Sequence, residues 1–295
     1  MSVELAEDVR AKLGEGPSVF PDGSLWWVDI PEGNVFRRHN DVSQLVRTYN
    51  DEVSKILPWT HGHIALTAHG VEMVSSDGVT VSTIDVTGGD PLLRCSDGTV
   101  LPSGGIAVGV VDKNLTPGRG RLVVIQPDGS TSTIVEGATI PNGIDVDPSG
   151  RRVWWVDSPT HTIMAFDVNS DTGFIENPQP WARVPESLGV PDGLCADQDG
   201  GVWVALFGGG AIIHFSPDGL LDRTITIPVS HVTSVAFDTD DTLIVTSGHV
   251  LLSESEIENT PGAGGLWAVR SSDHQTRGLA PRTAHITNHI FPTHT

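Results

Sequence analysis

The sequence contains very little cysteine. Only Cys95 and Cys195 occur among 295 residues, and they do not form a Cys-x-x-Cys pair. This scarcity argues against a disulfide framework and a cysteine-based zinc site, and it favours a reducing cytoplasm as the location. Residues 1–13 hold five charged side chains and no apolar run, and no later stretch is long enough to cross a membrane. We therefore expect a soluble cytoplasmic protein without a secretory signal.

Basic side chains are the second shortage. The 17 Lys and Arg are outnumbered by 37 Asp and Glu, which gives a formal net charge of -20 at pH 7. A surface of this sign repels phosphate backbones and anionic lipids, so we expect neither nucleic acid nor a membrane as a partner. The negative field attracts cations and suits a metal site, although an excess of carboxylates also keeps proteins soluble.

Helical periodicity is hard to find, whereas short β-rich runs bounded by Asp-Gly turns are frequent. The 33 glycines and 20 prolines disfavour long helices further. A phrase containing tryptophan occurs at 20–29, at 147–157 and at 197–205, and each copy is followed by a turn and another strand. The repeated unit is therefore predicted to be a hairpin that continues into a further strand.

The spacing of this repeat indicates the fold. Trp155 and Trp203 are 48 residues apart (203 minus 155), and 295 residues divided by six gives about 49 per unit, close to the length of a four-stranded propeller blade. We therefore predict an all-β chain with one six-bladed β-propeller domain over residues 1–295, a central channel and short loose ends. Residues 253–265 are expected to form a loop.

The C-terminal residues 273–295 are expected to be a loose tail. Four histidines lie in or near this tail without a regular ligand spacing, so we expect them to be solvated rather than bound to metal. They are His274, His285, His289 and His294.

Three turns share one pattern. In 13–17, 140–144 and 190–194, an oxygen-bearing side chain stands beside a glycine, just ahead of a strand that should be innermost in its blade. These side chains are Glu15, Asn142 and Asp192. With radially arranged blades, all three point into one end of the channel and form a hard oxygen site suited to calcium, magnesium or manganese. The alternative is that they are only turn formers.

Several phrases in this order resemble one protein family. They are Leu-Gly-Glu15-Gly-Pro, Trp-Trp-Val-Asp29-Ile, Arg94-Cys-Ser-Asp97-Gly, Pro-Asn142-Gly-Ile, Trp-Val-Asp157-Ser, Pro-Asp192-Gly-Leu-Cys, Val-Thr-Ser234 and Gly-Gly-Leu266-Trp-Ala-Val. The chain resembles the SMP-30/gluconolactonase/luciferin-regenerating-enzyme family of six-bladed propellers over nearly its whole length. Each phrase alone is weak, but the set is specific.

The resemblance implies a metal centre and a reaction. It implies that the three turn side chains Glu15, Asn142 and Asp192 bind one divalent metal ion. Ca²⁺ is the first expectation for this ion, and Zn²⁺, Mg²⁺ and Mn²⁺ are the alternatives. It also implies that Asp192 acts as acid or base during ring opening. By the same resemblance, Arg94 reaches the substrate from the channel wall, where its guanidinium can donate hydrogen bonds. The alternative for Arg94 is a salt bridge with one of two nearby acids, Asp97 or Asp90.

Two departures from the family pattern concern substrate binding. Where the family usually shows Arg-x-Asn-Asp-Gly, this chain has Ser96, so a short hydroxyl replaces an amide that would contact water at the metal ion or the substrate. The loop 112–120 contains no glutamate to match a substrate-binding carboxylate of some relatives. The wall that recognises a sugar is therefore expected to be rebuilt, with Ser96 on one side.

His61 and His63 are further candidates for substrate binding. They flank Gly62 and could bring imidazoles to the channel mouth as a lid or an acid/base group, although histidines at strand edges are also common surface residues. Ser234 is a weaker candidate. No Gly-x-Ser-x-Gly elbow occurs, so a serine nucleophile is not expected.

The predicted function is metal-dependent hydrolysis of a small lactone, either a sugar lactone or a related cyclic ester. The same site could instead serve phosphotriester hydrolysis, isomerisation or ring rearrangement, and a propeller that binds a ligand without catalysis is a third class. The expected partner is a small molecule. A propeller can close its own sheet edges, so a monomer or weak homodimer is expected.

Overall fold

The structure is a computed structural model that describes residues 3–169 and 172–287. Over these residues, 24 β-strands form six antiparallel sheets of four strands each. The sheets are the blades of a propeller around a central channel. The prediction of an all-β, six-bladed β-propeller is confirmed.

The strands follow one another with few interruptions. The first twelve are β1 (Val3–Glu7), β2 (Gly14–Val19), β3 (Leu25–Asp29), β4 (Asn34–His39), β5 (Val42–Thr48), β6 (Val53–Trp59), β7 (Gly62–Thr67), β8 (Gly70–Ser75), β9 (Thr80–Ile84), β10 (Leu93–Val100), β11 (Ile106–Asp112) and β12 (Gly120–Ile125). The next twelve are β13 (Thr131–Ala138), β14 (Pro141–Val146), β15 (Arg152–Asp157), β16 (Thr162–Val168), β17 (Ile175–Arg183), β18 (Val190–Ala196), β19 (Val202–Phe207), β20 (Ala211–Phe215), β21 (Leu221–Thr226), β22 (Val232–Phe237), β23 (Leu243–Ser247) and β24 (Leu266–Val269).

The first strand closes the ring. β1 pairs antiparallel with β24, with Val3 opposite Val269, and so becomes the outermost strand of the sixth blade. The first five blades are each built from four consecutive strands, beginning with β2. Because β1 is hydrogen-bonded into a sheet, the N-terminal segment from Val3 onwards is not the loose end that we expected.

The core lies between the blades. Among the described residues, six hydrophobic clusters occur, one at each junction of neighbouring blades. The tryptophans of the repeated phrase are central to it, since Trp27, Trp154 and Trp203 are fully buried. Second strands such as β15 are covered on both faces, which explains why they are continuous apolar runs rather than alternating ones.

The innermost strands are irregular where they face the channel. They are β2, β6, β10, β14, β18 and β22. Each of them shows a shift in its pairing with the next strand. In β18, the register passes from Pro191 to Leu194 and leaves Asp192 and Gly193 between paired residues. Such a bulge bends the strand and redirects its side chains, so these segments present polar groups to the channel.

The C-terminal residues 276–287, here called the C-terminal strap, cross the end of the propeller remote from these bulges. The backbone N–H of Ala284 donates to Pro58 (2.9 Å) and that of His285 donates to Gly104 (2.8 Å). The indole of Trp59 donates to the carbonyl of Ile286 at 3.1 Å. The expectation of a loose tail is therefore wrong for the described part of the segment, because these bonds tie it to two blades.

The histidines of the tail do not share one environment. His274 is fully buried and makes edge-to-face ring contacts with Trp203 and Phe237, so the expectation that it is solvated is wrong. Its Nδ1 lies 3.0 Å from the hydroxyl oxygen of Thr276. His285 is exposed, as expected. His289 and His294 lie outside the described residues.

Helices are short and peripheral. Residues 253–265, predicted to be a loop, include helix α1 (Glu254–Asn259), whose capping box joins Ser253 and Glu256. Helix α2 (Ser271–His274) precedes the strap, and single 3₁₀ turns occur at Ser158–Thr160 and Glu186–Leu188. None of the helices in the described ranges has the length and apolar character needed to cross a bilayer.

Candidate metal centre

The three predicted metal ligands lie on different blades, each at a strand bulge. Glu15 belongs to β2, Asn142 to β14 and Asp192 to β18. Each is followed by a glycine because the neighbouring backbone is close: a Cβ added to Gly143 would lie 2.5 Å from the carbonyl oxygen of Asp192. The Glu-Gly, Asn-Gly and Asp-Gly pairs thus allow adjacent inner strands to approach while their acidic or amide side chains turn into the channel.

The structure brings these three side chains together. The Asn142 side-chain amide donates a short hydrogen bond to Asp192 Oδ1, and it also lies 3.3 Å from the hydroxyl oxygen of Ser158. The Glu15 carboxylate interacts directly with that of Asp192. Both carboxyl residues are 8% exposed. The predicted convergence at one end of the channel is therefore present in the geometry.

Burial and mutual repulsion make the two carboxylates unusually basic. Burial raises the pKa of Glu15 to about 7, and the nearby charge of Asp97 raises it as well. Burial also raises the pKa of Asp192 well above its usual value, with further contributions from the charges of Glu15 and Asp97. Acidic groups that crowd together in a poorly solvated place are stabilised when they share a cation.

The donor set fits a hard divalent cation. Within residues 3–169 and 172–287, no three His, Cys, Asp or Glu side chains come together in an arrangement that could hold a metal ion. Asn142 would supply its amide oxygen as a further protein ligand, which requires the amide to rotate so that its oxygen faces the carboxylates. Two carboxylates and one carbonyl leave further coordination positions open, as expected for Ca²⁺, Mg²⁺ or Mn²⁺.

Ser96 and Arg94 both belong to the third inner strand, β10. The hydroxyl of Ser96 donates to the carbonyl of Pro141 at 2.5 Å, so it lies beside the strand that carries Asn142. The Arg94 guanidinium donates to the Cys95 carbonyl at 2.9 Å and is 14% exposed. Ser96 is thus close to the centre, and Arg94 is near enough for its charge to lower the pKa of Glu15.

The ion-pair partner of Arg94 differs from either alternative considered. Its Nε lies 3.5 Å from Oε1 of Glu52. The two acids suggested by sequence are bound elsewhere, Asp97 by Lys55 and Asp90 by Arg119. The alternative of a salt bridge to Asp97 or Asp90 is therefore wrong, because each of these acids faces a nearer cation.

His61 and His63 do not join the centre. Strand β6 has its bulge at Val53–Lys55, near the other inner-strand bulges, whereas the two histidines follow its far end, where Trp59 pairs with Gly62. A strand of seven residues is about 20 Å long. His63 packs against Trp26 and His61 against Trp59. The expectation that they stand at the mouth with the metal ligands is therefore corrected: they lie near the C-terminal strap.

Two functional candidates, Lys55 and Asp97, were not singled out by sequence. Lys55 Nζ lies 2.6 Å from Asp97 Oδ1, and both residues occupy inner-strand bulges equivalent to those of the metal ligands. Only its repeat position could have pointed to Lys55, whereas Asp97 stands in the phrase Arg94-Cys-Ser-Asp97-Gly, where it was assigned no role at the centre. Ser234 also lies at such a bulge, next to Gly193, so the structure brings this weaker candidate close to Asp192.

Beyond Lys55, the channel widens into a cavity of about 130 Å³, which strap residues 279–282 line on one side. Asp145 lines the cavity, and its carboxylate accepts 2.8 Å hydrogen bonds from the N–H groups of Val146 and Ala196. Arg282 also borders it and donates to the carbonyl of Asp147. Lys55 therefore stands between the candidate centre and this lower cavity.

The sequence matches a known protein family over most of its length. The model of the SMP-30/Gluconolactonase/LRE-like region matches residues 13–249. The chain belongs to this family. The matched region contains all three bulges with the predicted metal ligands, so the resemblance inferred from the short phrases is confirmed.

Relatives within the family are similar over almost their full length. An L-arabinolactonase of Azospirillum brasilense is 29% identical over 288 residues, which cover 95% of this chain and 94% of the relative. A pentonolactonase of Haloferax volcanii is 28% identical over 262 residues, with 84% and 86% covered. A regucalcin of Danio rerio is 27% identical over 279 residues, with 91% and 94% covered.

Solved structures of the family share the fold. A calcium-binding protein, regucalcin, from Agrobacterium tumefaciens superposes with a TM-score of 0.89 at 22% identity and covers 96% of this chain and 97% of its own. A luciferin-regenerating enzyme superposes with a TM-score of 0.85 at 24% identity, with 96% and 99% covered. At these identities, the structures support the six-bladed architecture alone.

Proposed function

We propose that this protein is a divalent-metal-dependent lactonase that opens a small sugar lactone or a related cyclic ester. The observation that carries the proposal is the convergence of Glu15, Asn142 and Asp192 from three blades at a buried end of the channel. The similarity to an arabinolactonase and a pentonolactonase supports lactone hydrolysis. Ca²⁺ is the proposed ion, which the similarity to a calcium-binding regucalcin supports.

In this mechanism, the three ligands hold the cation, which when bound would polarise the ester carbonyl and lower the pKa of a water molecule. The carboxylate of Asp192 accepts a proton from the attacking water. The same oxygen then returns the proton to the ring oxygen as the carbonyl carbon–oxygen bond breaks, so that the product is a hydroxy acid.

Arg94 and Ser96 are the proposed contacts to substrate. Arg94 retains donors for a carbonyl or ring hydroxyl, while Glu52 fixes the direction of its guanidinium. Ser96 offers a shorter hydroxyl where the family pattern has an amide. Lys113 comes from the loop without glutamate and lies 3.3 Å from Glu52, the acid that also pairs with Arg94. These differences favour a substrate whose polar groups differ from those of the usual sugar lactones.

Elemental analysis before and after chelation, together with a pH-indicator assay on sugar and aliphatic lactones, tests this proposal. We expect about one divalent ion per chain and acid release that stops on chelation. Asp192→Asn should lower turnover at least about 100-fold because both a ligand and the proton carrier are lost. Asp218→Asn is a matched control, since Asp218 also precedes a glycine but lies at an exposed turn.

Other outcomes would redirect the proposal. Metal binding with no turnover of any lactone would favour a different reaction at the same site, which a phosphotriester panel and isomerisation substrates would examine. A protein without bound metal and without catalysis would be a ligand-binding propeller, and Asn142→Ala would then leave ligand affinity unchanged.

We also propose a cytoplasmic location and a monomeric or weakly dimeric state. Cys95 and Cys195 are free and buried, which fits a reducing compartment. The ring closes within one chain through β1 and β24, so a partner is not required for stability. Light scattering across a range of concentrations would distinguish a monomer from a dimer.

A further inference from the structure

A buried ion pair lies inside the channel, next to the candidate centre. Lys55 Nζ is 2.6 Å from Asp97 Oδ1, and the two side chains are 9% and 4% exposed. The N–H of Gly98 donates to the same carboxylate oxygen at 2.7 Å. Desolvating such a pair is costly, and its net contribution to stability is often small. Stability alone therefore does not account for a buried ion pair at this position.

The pair is close enough to act on the centre. The stem of Lys55 packs on the backbone beside Glu15, since a Cβ added to Gly16 would lie 3.1 Å from Lys55 Cγ. The charge of Asp97 raises the pKa of both Glu15 and Asp192, whereas the charge of Lys55 lowers that of Glu15. The two members of the pair therefore act on the ligands with opposite signs.

The two carboxylate oxygens of Asp97 differ in their hydrogen bonding. Its Oδ1 is bound by Lys55 and by the backbone, but its Oδ2 is buried and has no hydrogen-bond partner. Asp97 also occupies a bulge of an inner strand, as Glu15, Asn142 and Asp192 do. By residue type, burial and position, it is a potential third carboxylate ligand, but while it is paired with Lys55 it forms no ion-holding group with Glu15 and Asp192.

We propose that Lys55 is a positioning residue that holds Asp97 out of the ligand set and so limits the affinity of the centre for divalent cations. This inference rests on the proposed function, because it assumes that the centre binds such a cation. Calcium affinity in proteins depends on the number of charged ligands. With Asp97 paired to Lys55, the ion meets two free carboxylates and retains open positions for the substrate.

The charges give an expectation for each variant. With both ligands ionised, as binding of a cation requires, Glu15, Asp192 and the Lys55–Asp97 pair together carry two net negative charges. Lys55→Met raises the number to three and frees Asp97, whereas Asp97→Asn lowers it to one and leaves Lys55 unpaired. The double variant restores two net negative charges. At short range and in a poorly solvated place, one charge is expected to change the affinity for a divalent ion by roughly tenfold or more.

The experiment measures Ca²⁺ affinity at pH 8 by competition with a fluorescent chelator. We expect Lys55→Met to bind Ca²⁺ about tenfold more tightly, Asp97→Asn about tenfold more weakly, and the double variant within about threefold of the original chain. Lys55→Arg keeps the charge and should also remain within about threefold. Lys12→Met is the matched control, because it removes a lysine that pairs with Glu32 at the exposed surface.

The outcomes separate this inference from the proposed function. If the unmodified chain binds no Ca²⁺ and no other divalent ion, the proposed function fails. If it binds Ca²⁺ but Lys55→Met and Asp97→Asn leave the affinity unchanged, the role of Lys55 is overturned and the metal centre stands. Should Lys55→Met not fold, Asp97→Asn and the double variant still decide, since neither leaves an unpaired buried carboxylate at position 97.

Discussion

At the scale of single residues, backbone conformation decides where the chemistry lies. Glu15 is directed into the channel by a bulge that depends on Gly16, whose φ is +57°. A Cβ on this glycine would lie 2.5 Å from the Ser54 carbonyl oxygen, well inside contact distance. The glycine therefore keeps β2 and β6 close together, and the position of a metal ligand depends on a residue without a side chain.

We predict that Gly16→Ala displaces Glu15. The substitution combines an unfavourable φ with a clash against backbone, so a loss of roughly 2–4 kcal/mol in the free energy of unfolding is expected, with weaker Ca²⁺ binding. Urea unfolding and chelator competition would measure both effects. Gly78→Ala is the control, because Gly78 has φ +84° but open space around its Cβ position. It should cost about 1 kcal/mol and leave Ca²⁺ binding intact.

His63 supplies a prediction of pH dependence outside the centre. Burial lowers its pKa to about 4, and Arg47 contributes in the same direction. The unfolded chain, with an ordinary histidine pKa near 6.5, binds more protons between these values, so this residue makes stability fall as the pH decreases from about 6.5 to 4. The contribution of His63 should lower the free energy of unfolding by about 2 kcal/mol between pH 7 and pH 5.

Urea unfolding of His63→Gln at both pH values would check this expectation. Whatever the absolute stability of the variant, its loss of stability between pH 7 and pH 5 should be smaller than that of the original chain. His285→Gln replaces an exposed histidine and should keep the original pH dependence. An equal loss in all three proteins would contradict a half-buried, neutral His63.

At the scale of elements, the C-terminal strap joins blades that are distant in sequence. It forms backbone hydrogen bonds with β6 and with the turn at Gly104, and it lines the lower cavity. Ala284 is fully buried in the cluster between the second and third blades, where Trp59 also lies. The strap is therefore part of the core rather than an appendage of the propeller.

We predict that Ala284→Asp strongly destabilises the fold. An unpaired carboxylate at this site would have no solvent and no counter-ion, so a loss of more than about 3 kcal/mol is expected. Ala280→Asp makes the same change at an exposed position of the same strap and should cost less than about 1 kcal/mol. Thermal unfolding of the two variants would measure this difference. Similar unfolding temperatures for both would indicate that the strap is only loosely attached.

At the scale of the whole molecule, closure of the ring assembles the candidate centre. Glu15 lies on the first blade and Asp192 on the fifth, and the sixth blade between them combines β1 with β22–β24. The hydroxyl of Thr233 in this blade donates to the carbonyl of Gly14, at 2.5 Å, just before Glu15. The relative position of the two carboxylates thus depends on contacts that the last blade makes with the first.

Removal of residues 1–7 tests this dependence. The truncated chain should unfold at a lower temperature, bind Ca²⁺ more weakly and associate at high concentration, because β24 becomes an unprotected sheet edge. Light scattering, thermal unfolding and chelator competition would follow the three effects. Glu4→Ala is the control, since it removes only an exposed ion pair with Arg270. Unchanged behaviour of the truncated chain would argue against closure by β1.

The sequence alone was sufficient for the architecture and for three members of the candidate site. The tryptophan-containing phrase, its spacing and the Asp-Gly turns are local signals, and a propeller repeats one local unit. Glu15, Asn142 and Asp192 could be predicted because each stands at the same point of that unit, beside a glycine. Repetition converts a position in the sequence into a position in space without any knowledge of long-range contacts.

Only the tertiary structure decided which side chains meet across the channel. Lys55 and Asp97 are 42 residues apart, and no local pattern pairs them. Likewise, His61 and His63 were assigned to the wrong end of β6, and the strap was taken for a loose tail, because strand direction and contacts between distant segments are set when the ring closes. The physical reason is the same in each case: these interactions depend on distances through space, which a one-dimensional pattern does not contain.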